Sequence, residues 1–370
     1  MAALATVPGK GVENYRVVAS KDDRRRDVFC VLLKRTYDIH SGYAMRAEHD
    51  RPLRPVDVYY DSGDPETCSV QYENDLSPFK IATDVVAVGT VHAPGNKPTQ
   101  MLDAAVHVAE HCKTIRVFGD RQCFYNADAA PSVTDPLPFT RMPMRYERAY
   151  GGTDASSIPD FPFAYPRNHL GCGFVMKNSV ESVHGLKLPN FEDPFDLLTP
   201  ERIVVGEPEG WWSQPMPQSF GWFQRTWYPR CSFVGSVPGF VDPDAVVREE
   251  QLGLVPKRQF ALARQFKLPS FDIRFNNGAS PGLALPFLKA GESVRLLHLT
   301  PDGLLAFEVP HDTPKIAMDI GLGERELKPV LQTLLIRPDD GQLDLIWRGA
   351  HEFPGVEWLP EMSRLNVEID

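Results

Sequence analysis

In the first third of the chain, apolar residues either cluster in short runs or alternate with polar ones. The segment Asp27 to Ile39 (DVFCVLLKRTYDI) is dense in β-branched and aromatic residues, and Asp84 to Pro94 (DVVAVGTVHAP) alternates valine with smaller or polar residues. This alternation is typical of half-buried strands and not of helices. Residues 15–125 are therefore predicted to form antiparallel β-structure.

Alternation returns in the last third of the chain. The segments ESVRLLHLTPDGLLAFEVP and LQTLLIRPDDGQLDLIWRG place Pro-Asp-Gly and Asp-Asp-Gly between alternating runs, which predicts two hairpins, the second near residues 331–348. The best helical pattern lies ahead of them, where Pro243 can occupy a first helical turn and Pro256 forces an interruption. Short helices are therefore predicted near residues 243–265.

Residues 126–230 have a different character, with few periodic segments and many prolines, glycines and aromatic residues. A loop region of this length is usually either functional or disordered, and its aromatic content argues against disorder. We predict an ordered excursion over a sheet. The whole chain is predicted to be mainly β, with one domain over residues 15–350 that has an antiparallel β-sandwich-like body, long ordered loops and a few short helices. Residues 351–370 are predicted to be a C-terminal tail.

Composition narrows the classes of partner and compartment. The net charge is −10, and the one dense basic run, KDDRRRD, mixes arginines with aspartates, so nucleic acid is not an expected partner. The six cysteines form no C-x-x-C pair, which is typical of free thiols in a cytosolic protein. No apolar run is long enough to span a bilayer, and the N-terminus lacks the apolar region of a signal peptide. A cytoplasmic protein without membrane insertion is therefore expected.

The stretch HVAEH, from His107 to His111, matches the H-x-x-E-H pattern of inverted zinc peptidases. That site requires a helix, since only there do both histidines share a face with the glutamate. The surrounding run MLDAAVHVAEHCKTIRVFGDR alternates like two strands, with the turn at Glu110 to Lys113. We therefore predict a hairpin with solvated side chains, and no metal or other cofactor.

The run MRYERAYGGTD is the most distinctive stretch of the chain. Glu147 and Arg148 lie between Tyr146 and Tyr150, and a double glycine, Gly151–Gly152, permits a tight turn. Glu147 could be a general acid or base whose pKa is tuned by Arg148. The prediction that we favour is a structural ion pair or hydrogen-bonding corner that holds the loop in place.

The run LPNFEDPFD places Asn190, Glu192 and Asp193 between two prolines. These oxygens could bind a cation, but the ligand spacing and the glycine of a calcium loop are missing. A capped proline turn is the predicted structure.

Four of the six tryptophans lie between Glu209 and Arg230: Trp211, Trp212, Trp222 and Trp227. They could form a stacking platform for sugars or a groove for a peptide. They could equally cover the sheet as core residues beneath a long loop. The sequence leaves these alternatives open.

Catalysis has little support in the sequence. No G-x-S-x-G elbow, Walker loop or complete dinucleotide fingerprint is present. The best enzymatic alternative is a glycoside hydrolase or glycan-binding protein, in which Glu147 or Glu192 would be the acid and Asp193 or Asp154 the second carboxylate. Such an enzyme needs two carboxylates on opposite sides of one cleft.

Several stretches, in this order, resemble the type VI secretion-associated family of effector adaptors and chaperones. The resemblance extends from about residue 15 to residue 350 and rests on the following pieces: DLSPFKIATDVVAVGTVHAP, KTIRVFGDRQ, RYERAYGGTD, LPNFEDP, SFGWF followed by TWYPR, LPSFDIRFNNGASP, GESVRLLHLTPDG and LIWRG. The stretch YPRNHLGCGF departs from the Asn-Pro-Val-Gly-Arg-Gly-Phe-like segment that the family often shows.

The resemblance implies a cytoplasmic protein without catalytic activity. Such a protein would bind an effector and help to load it onto the secretion spike, at a valine–glycine repeat protein or a PAAR-type tip. An ordered aromatic loop region on a β scaffold suits this role, because it can bind an extended partner. The residues predicted to contact the partner are Tyr146, Arg148, Tyr150, Trp211, Trp212, Trp222, Trp227 and Arg230.

Overall fold

The computed structural model describes residues 14–22, 24, 26–61, 63–126, 130–156, 162–177, 179–234, 271–319, 323–352 and 366–369. The described part of the chain is mainly β, as predicted, with one α-helix of a single turn and several short 3₁₀ helices. The helices predicted near residues 243–265, and most of the predicted tail, lie outside the described residues.

The strands of the described residues follow in chain order: β1 (Tyr15–Lys21), β2 (Asp27–His40), β3 (Tyr43–Arg46), β4 (Val58–Tyr59), β5 (Val70–Tyr72), β6 (Thr83–Ala87), β7 (Thr90–His92), β8 (Met101–Val108), β9 (His111–Phe118), β10 (Cys123–Tyr125), β11 (Pro131–Val133), β12 (Arg141–Pro143), β13 (Tyr150–Gly151), β14 (Thr153–Asp154), β15 (Phe163–Ala164), β16 (Cys172–Gly173), β17 (Phe191–Glu192), β18 (Ala284–Leu285), β19 (Ser293–Leu297), β20 (Leu304–Glu308), β21 (Ile316–Asp319), β22 (Arg325–Leu327), β23 (Val330–Arg337), β24 (Gln342–Glu352) and β25 (Asn366–Ile369). The helices are η1 (Pro94–Asn96), η2 (Tyr146–Arg148), α1 (Val180–Val183), η3 (Pro200–Arg202), η4 (Pro208–Ser213), η5 (Arg230–Phe233), η6 (Ile273–Asn276) and η7 (Pro338–Asp340).

A seven-stranded sheet forms one layer of the body, in the order β1-β2-β24-β23-β6-β18, with β3 on the same edge of β2 as β1. All its pairings are antiparallel except β23 with β6. The β23–β24 hairpin turns at η7 with Gly341 in the left-handed conformation, which confirms the hairpin predicted around Asp-Asp-Gly. The predicted strand Asp27 to Ile39 is confirmed as β2.

A five-stranded sheet, in the order β17-β9-β8-β19-β20, forms the facing layer. Its β8–β9 hairpin contains the HVAEH stretch and is confirmed, although its turn is at Ala109 and Glu110 and not at Glu110 to Lys113. The predicted hairpin around Pro-Asp-Gly is confirmed as β19 and β20. The valine-rich segment from Asp84 is two strands, since the chain leaves β6 at Val88–Gly89 before β7 begins.

The main core lies between these two sheets and supports the sandwich-like architecture. Alternate residues of β2 and β24, such as Leu33, Tyr37 and Leu345, pack in one cluster with Val106 and Leu296 of the facing sheet. All of these are almost fully buried. Burial of this apolar surface supplies the main driving force for folding, at about 25 cal/mol per Å².

The opposite face of the seven-stranded sheet is also buried, but it carries charged residues. Lys34 on β2 and Asp344 on β24 are fully buried, and Lys34 Nζ lies 2.7 Å from an oxygen of Asp75. Thr36 donates a hydrogen bond of 2.9 Å to Asp344. This face is covered by β4, β5 and parts of the loop region, and that cover excludes water from charges that an open sheet would expose.

Asp84 on β6 holds that cover in place. Its carboxylate accepts hydrogen bonds from Lys80 Nζ at 2.6 Å, Asn277 Nδ2 at 3.0 Å and the backbone N–H of Gly278 at 2.9 Å. The side chain is fully buried. One carboxylate therefore joins the sheet to a segment almost 200 residues later in the chain.

We predict that Asp84→Ala destabilises the protein by about 3–5 kcal/mol, because removal of one member of a buried ion pair leaves the other charge uncompensated. The free energy of unfolding would be measured by chemical denaturation. Asp302→Ala, at an exposed turn position, is the matched control. An Asp84 variant as stable as this control would contradict the assignment.

Lys113 gives the fold a pH dependence. Its ammonium donates to Ser280 Oγ at 2.7 Å and to the Pro281 carbonyl at 2.8 Å. Burial lowers the pKa of Lys113 to about 7, with partial compensation by Asp193. Between that value and the ordinary lysine pKa of about 10.4, the unfolded chain binds a proton that the folded chain does not.

The contribution of Lys113 to the free energy of unfolding should therefore rise with pH between about 7 and 10.4, and be constant below this window. Lys113→Met should remove this slope, so the difference between wild type and variant should change with pH only within the window. Denaturation curves at several pH values would measure it. The exposed Lys187→Met controls for loss of a lysine, and an equal slope in both variants would refute the prediction.

Candidate partner-binding surface

The loop region from 126 to 230 has a core of its own. Tyr150, Tyr165, Phe174, Val183 and Leu198 belong to one buried cluster within it. The predicted ordered excursion is thus explained by apolar burial, although its strands are only two or three residues long. This second core gives the surface loops above it a packed support.

The double glycine permits a close approach of two backbone segments. Gly151 and Gly152 have φ of 148° and 124°, and a Cβ at Gly151 would lie 2.0 Å from the carbonyl oxygen of Asn168. The fully buried Asn168 side chain donates hydrogen bonds to the carbonyls of Tyr146 and Tyr150, at 2.8 and 3.2 Å. A side chain at Gly151 would push this asparagine corner away.

Glu147 is a hydrogen-bonding corner, in line with the structural interpretation of the sequence. Its carboxylate accepts from the backbone N–H of Ser69 at 2.6 Å and from the Ser69 hydroxyl at 2.8 Å. Arg148 instead donates to Asn190 Oδ1 at 3.1 Å and lies 3.4 Å from Asp120. The two neighbours therefore tie the loop region to different elements.

The LPNFEDPFD stretch forms the predicted capped turn. Asn190 donates to the Phe118 carbonyl at 3.0 Å, and Asp193 accepts from the Phe195 N–H at 2.9 Å. Glu192 is buried, pairs with Arg121 and accepts from the Leu198 N–H at 2.7 Å. Burial raises the pKa of the Glu192 carboxyl, and Arg121 compensates only in part.

Five of the eight residues predicted to contact a partner are buried: Tyr146, Tyr150, Trp222, Trp227 and Arg230. Tyr146 and Trp227 pack edge to face with ring centroids 4.9 Å apart. The ring of Trp222 lies under Lys80, with Nζ 5.1 Å from the ring centroid. In this conformation these side chains contribute to the core and do not reach the surface.

Arg230 is the central polar contact of this buried set. It forms a bidentate pair with Glu73, at 2.5 and 3.1 Å, and donates to the carbonyls of Phe223 and Phe275 at 2.6 and 2.9 Å. Burial alone would raise the pKa of Glu73, but Arg230 and Arg225 outweigh it and hold that pKa below its ordinary value.

The remaining two tryptophans form an exposed aromatic platform. Trp211 and Trp212 stack with ring centroids 4.1 Å apart and an interplanar angle of 23°, and Tyr228 packs edge-on at 5.5 and 4.9 Å. The Arg167 guanidinium lies over both indoles, 5.2 and 5.9 Å from their centroids. We call these four residues the aromatic platform.

The platform combines exposure with rigid support. Trp212 is 54% exposed, whereas Trp211 is partly buried against the second core. Arg167 also donates to the carbonyls of Gln214 at 2.9 Å and Trp212 at 3.3 Å. The arginine therefore fixes both the backbone and the rings of η4, which lowers the entropy cost of binding to this surface.

A second exposed aromatic residue lies on a loop that is tied to the platform. Arg202 donates to Asp196 Oδ1 at 2.5 Å and to the Ser213 carbonyl at 2.7 Å. Because both nitrogens belong to one planar guanidinium group, the two acceptors lie within about 8 Å of each other. Phe195, next to Asp196, is 95% exposed. The loop that carries Phe195 is thus linked through Arg202 to the end of η4, next to Trp212.

The sequence patterns missed Arg167, Arg202, Tyr228 and Phe195 as members of this surface. Tyr228 stands inside TWYPR and Phe195 inside LPNFEDPFD, so both were within stretches already singled out. Arg167 lies in YPRNHLGCGF, the segment that departs from the resembled family. An alternation pattern does not predict which aromatic side chains of an irregular loop face water.

His107 and His111 lie on opposite strands of the β8–β9 hairpin, with Glu110 in the turn between them. His107 Nε2 lies 3.4 Å from Cys112 Sγ, its cross-strand neighbour. Among the residues that the structure describes, no group of three or more His, Cys, Asp and Glu side chains could hold a metal ion. Within the same residues, no helix is long and apolar enough to cross a membrane.

Comparison with family models gives one match, over residues 24–348, to an uncharacterized protein family conserved in bacteria (DUF2169). The chain belongs to this family. The match covers the five-stranded sheet, the seven-stranded sheet except β1 and the end of β24, and the whole of the loop region, so the residues of the aromatic platform lie within it. No curated protein and no solved structure matches the chain significantly.

Substitution of a buried residue of the predicted contact set should lower the free energy of unfolding more than substitution of an exposed one. Arg230→Ala should cost about 3–5 kcal/mol, because it leaves Glu73 buried beside a single remaining arginine. Trp212→Ala should cost less, about 1–3 kcal/mol, because the half-exposed ring loses only its two aromatic pairs with Trp211 and Tyr228. Chemical denaturation of both variants would measure this, and equal losses would show that the surface and core assignments are wrong.

Proposed function

We propose that this chain is a non-catalytic adaptor or chaperone that binds a type VI secretion effector in the bacterial cytoplasm and helps to load it onto the spike. The observation that carries the proposal is the aromatic platform. Its outer ring, Trp212, is exposed, its inner ring, Trp211, rests on the second core, and its backbone is held by Arg167. A rigid, exposed aromatic and arginine surface is what protein interfaces favour at their energetic centre.

The resemblance of the sequence motifs to the effector adaptors supplies the class of partner. The motif residues themselves have structural roles. Glu147 bonds the segment before β5, Asn190 bonds the end of β9, and Glu192 pairs with Arg121 just after β9. A family whose shared motifs maintain a scaffold can vary its client through the surface that the scaffold presents. Of the predicted contact residues, this proposal retains Trp211, Trp212 and Arg148. It adds Phe195 and Tyr228 as further contact residues.

The contacts of the four candidate carboxylates favour binding over glycan hydrolysis. Glu147 accepts from Ser69, Glu192 from Arg121 and Leu198, and Asp193 from Phe195. Asp154 accepts from the N–H groups of Ser156 and Met176, both at 2.7 Å. Each of these carboxylates has a protein donor, so each has a structural contact that accounts for its position.

The test is a capture experiment with the tagged full chain in a lysate of the bacterium that encodes it. Proteins that co-purify would be identified by mass spectrometry. The proposal expects enrichment of a secreted toxin or a spike component, and loss of at least tenfold of that protein with the double variant Trp211→Ala/Trp212→Ala, since two aromatic contacts together exceed about 1.4 kcal/mol.

Tyr43→Ala is the matched control, because Tyr43 is 55% exposed, nearly the same as Trp212, but lies on β3 of the sandwich. This variant should capture the client as wild type does. If the double tryptophan variant captures the client as well as wild type does, the platform is not the binding surface. A saturating negative result in a secretion-competent lysate would sink the adaptor function itself.

A further inference from the structure

Two segments of the loop region meet next to the aromatic platform, and each carries one platform residue. One segment contains Arg167 and His169, and the other is the pair Trp227 and Tyr228. Among the described residues, two hydrogen bonds join these segments. The Tyr228 N–H donates to the Pro166 carbonyl at 2.9 Å, and the Trp227 indole N–H donates to His169 Nδ1 at 3.2 Å. The second of these bonds depends on a group that titrates near neutral pH.

The direction of this bond fixes the protonation state of His169. An indole nitrogen is a donor only, so Nδ1 must accept with its lone pair. The imidazole ring is therefore neutral, and its single proton is on Nε2. A doubly protonated ring has no acceptor, and it would place an N–H group against the N–H of Trp227.

The surroundings of the ring favour the neutral form. Trp227 is almost fully buried, and Leu170 packs on the same cluster. His169 is itself partly buried, and this burial lowers the pKa of its imidazolium below the ordinary value of 6.5. The carboxylate and the backbone of Glu66, in the segment before β5, act in the opposite direction but do not outweigh burial. The Glu66 side chain is exposed, so solvent and salt screen it.

Two further charged groups are close along the chain but engage other partners. The Arg167 guanidinium donates to backbone carbonyls at the end of η4. Thr153 donates its hydroxyl to the His169 carbonyl at 3.2 Å, and Asp154, the next residue, accepts from backbone N–H groups of the loop region. Glu66 is therefore the charged side chain that acts on the imidazole ring.

Tyr228 connects this contact to the platform. Its ring packs edge-on against Trp211 and Trp212, and its backbone follows Trp227 directly. On the other side of the contact, the buried Asn168 fixes its own segment through hydrogen bonds of 2.8 and 3.2 Å to two backbone carbonyls. Loss of the bond between the histidine and the indole therefore displaces side chains on the Tyr228 side more easily than the backbone around Asn168.

We propose that His169 is a pH-sensitive latch of the aromatic platform. The neutral ring accepts from Trp227 and holds the two segments together. The protonated ring loses this bond and releases Trp227, and with it Tyr228, from the segment that carries Arg167. The inference rests on the proposed function, because it makes client binding by the platform weaken as the pH falls.

Histidine NMR on the full chain tests the state of the ring in the wild-type protein. With isotope-labelled histidine at about pH 7.5, the His169 ring should be neutral with its proton on Nε2. Titration towards about pH 5 should charge the ring with a midpoint below 6.5. A proton on Nδ1 at neutral pH, or a midpoint at or above 6.5, would overturn the proposal.

The indole N–H signals of the tryptophans test the link to the platform. The signals of Trp227, Trp211 and Trp212 should change across the same pH transition as the His169 ring. Trp347, which is buried in the sandwich core, is the internal control and should not change. A transition at Trp227 that leaves Trp211 and Trp212 unaffected would show that the histidine does not act on the platform.

The variant His169→Asn separates the hydrogen bond from the charge. Asparagine Oδ1 can accept from Trp227 in place of Nδ1, but the amide does not titrate. This variant should keep the thermal stability of wild type at neutral pH and lose the pH transition of the platform signals. His184→Asn, at the exposed end of α1, is the matched control and should keep the transition. A transition that persists in His169→Asn would refute the latch.

These measurements need no client, so they can refute the latch while capture of a client at neutral pH still supports the adaptor function. Capture itself gives the complementary test. Wild type should bind its client about fivefold more weakly at about pH 5 than at pH 7.5, which corresponds to the loss of one hydrogen bond of about 1 kcal/mol. His169→Asn should bind equally at both pH values. Equal pH dependence of the two chains would contradict the proposal.

Discussion

The fold depends on keeping water away from a face of the main sheet that carries charges. Lys34, Asp84 and Asp344 point away from the sandwich core, yet all three are fully buried. Isolated charges of this kind would be very costly in a protein interior, so each needs a partner. Lys34 and Asp84 find theirs within the cover, and Asp344 finds its partners on the neighbouring strands. The cover is therefore as much a part of the fold as the second sheet, although it consists largely of loops.

This constraint explains why arginines and asparagines hold the long loops together. Arg230, Arg167 and Arg202 each donate to carbonyl oxygens from segments that have little regular structure. A guanidinium group offers five donors in a fixed plane, so it can satisfy several backbone acceptors that a strand or helix would otherwise pair. Asn168 does the same at the double glycine. The loop region gains its order from side chain–backbone contacts and its own apolar core.

Sequence reasoning found the parts of the structure whose pattern is local. The strand Asp27 to Ile39 follows from its many β-branched and aromatic residues, and the two C-terminal hairpins follow from alternation and turn residues. All of these signals depend only on neighbours in the chain. The parallel pairing of β6 with β23 joins residues some 250 positions apart, and no local pattern encodes it. Local patterns also could not predict which tryptophans are buried. Trp212 and Trp222 have similar sequence surroundings, but Trp212 is 54% exposed and Trp222 is 2% exposed.

The division between buried and exposed aromatic residues has a physical logic. Trp222 lies where the cover meets the charged face of the sheet, and there its indole supplies both apolar contact and a π-surface for Lys80. Trp227 packs with Tyr146 and Phe223 in a separate buried cluster. Trp211 and Trp212 lie on η4, beyond the second core, where the underlying apolar surface is already covered by Tyr165 and its neighbours. Trp211 still packs against that core, whereas Trp212 is half-exposed. Exposure of this kind is the property that the proposed client-binding surface requires.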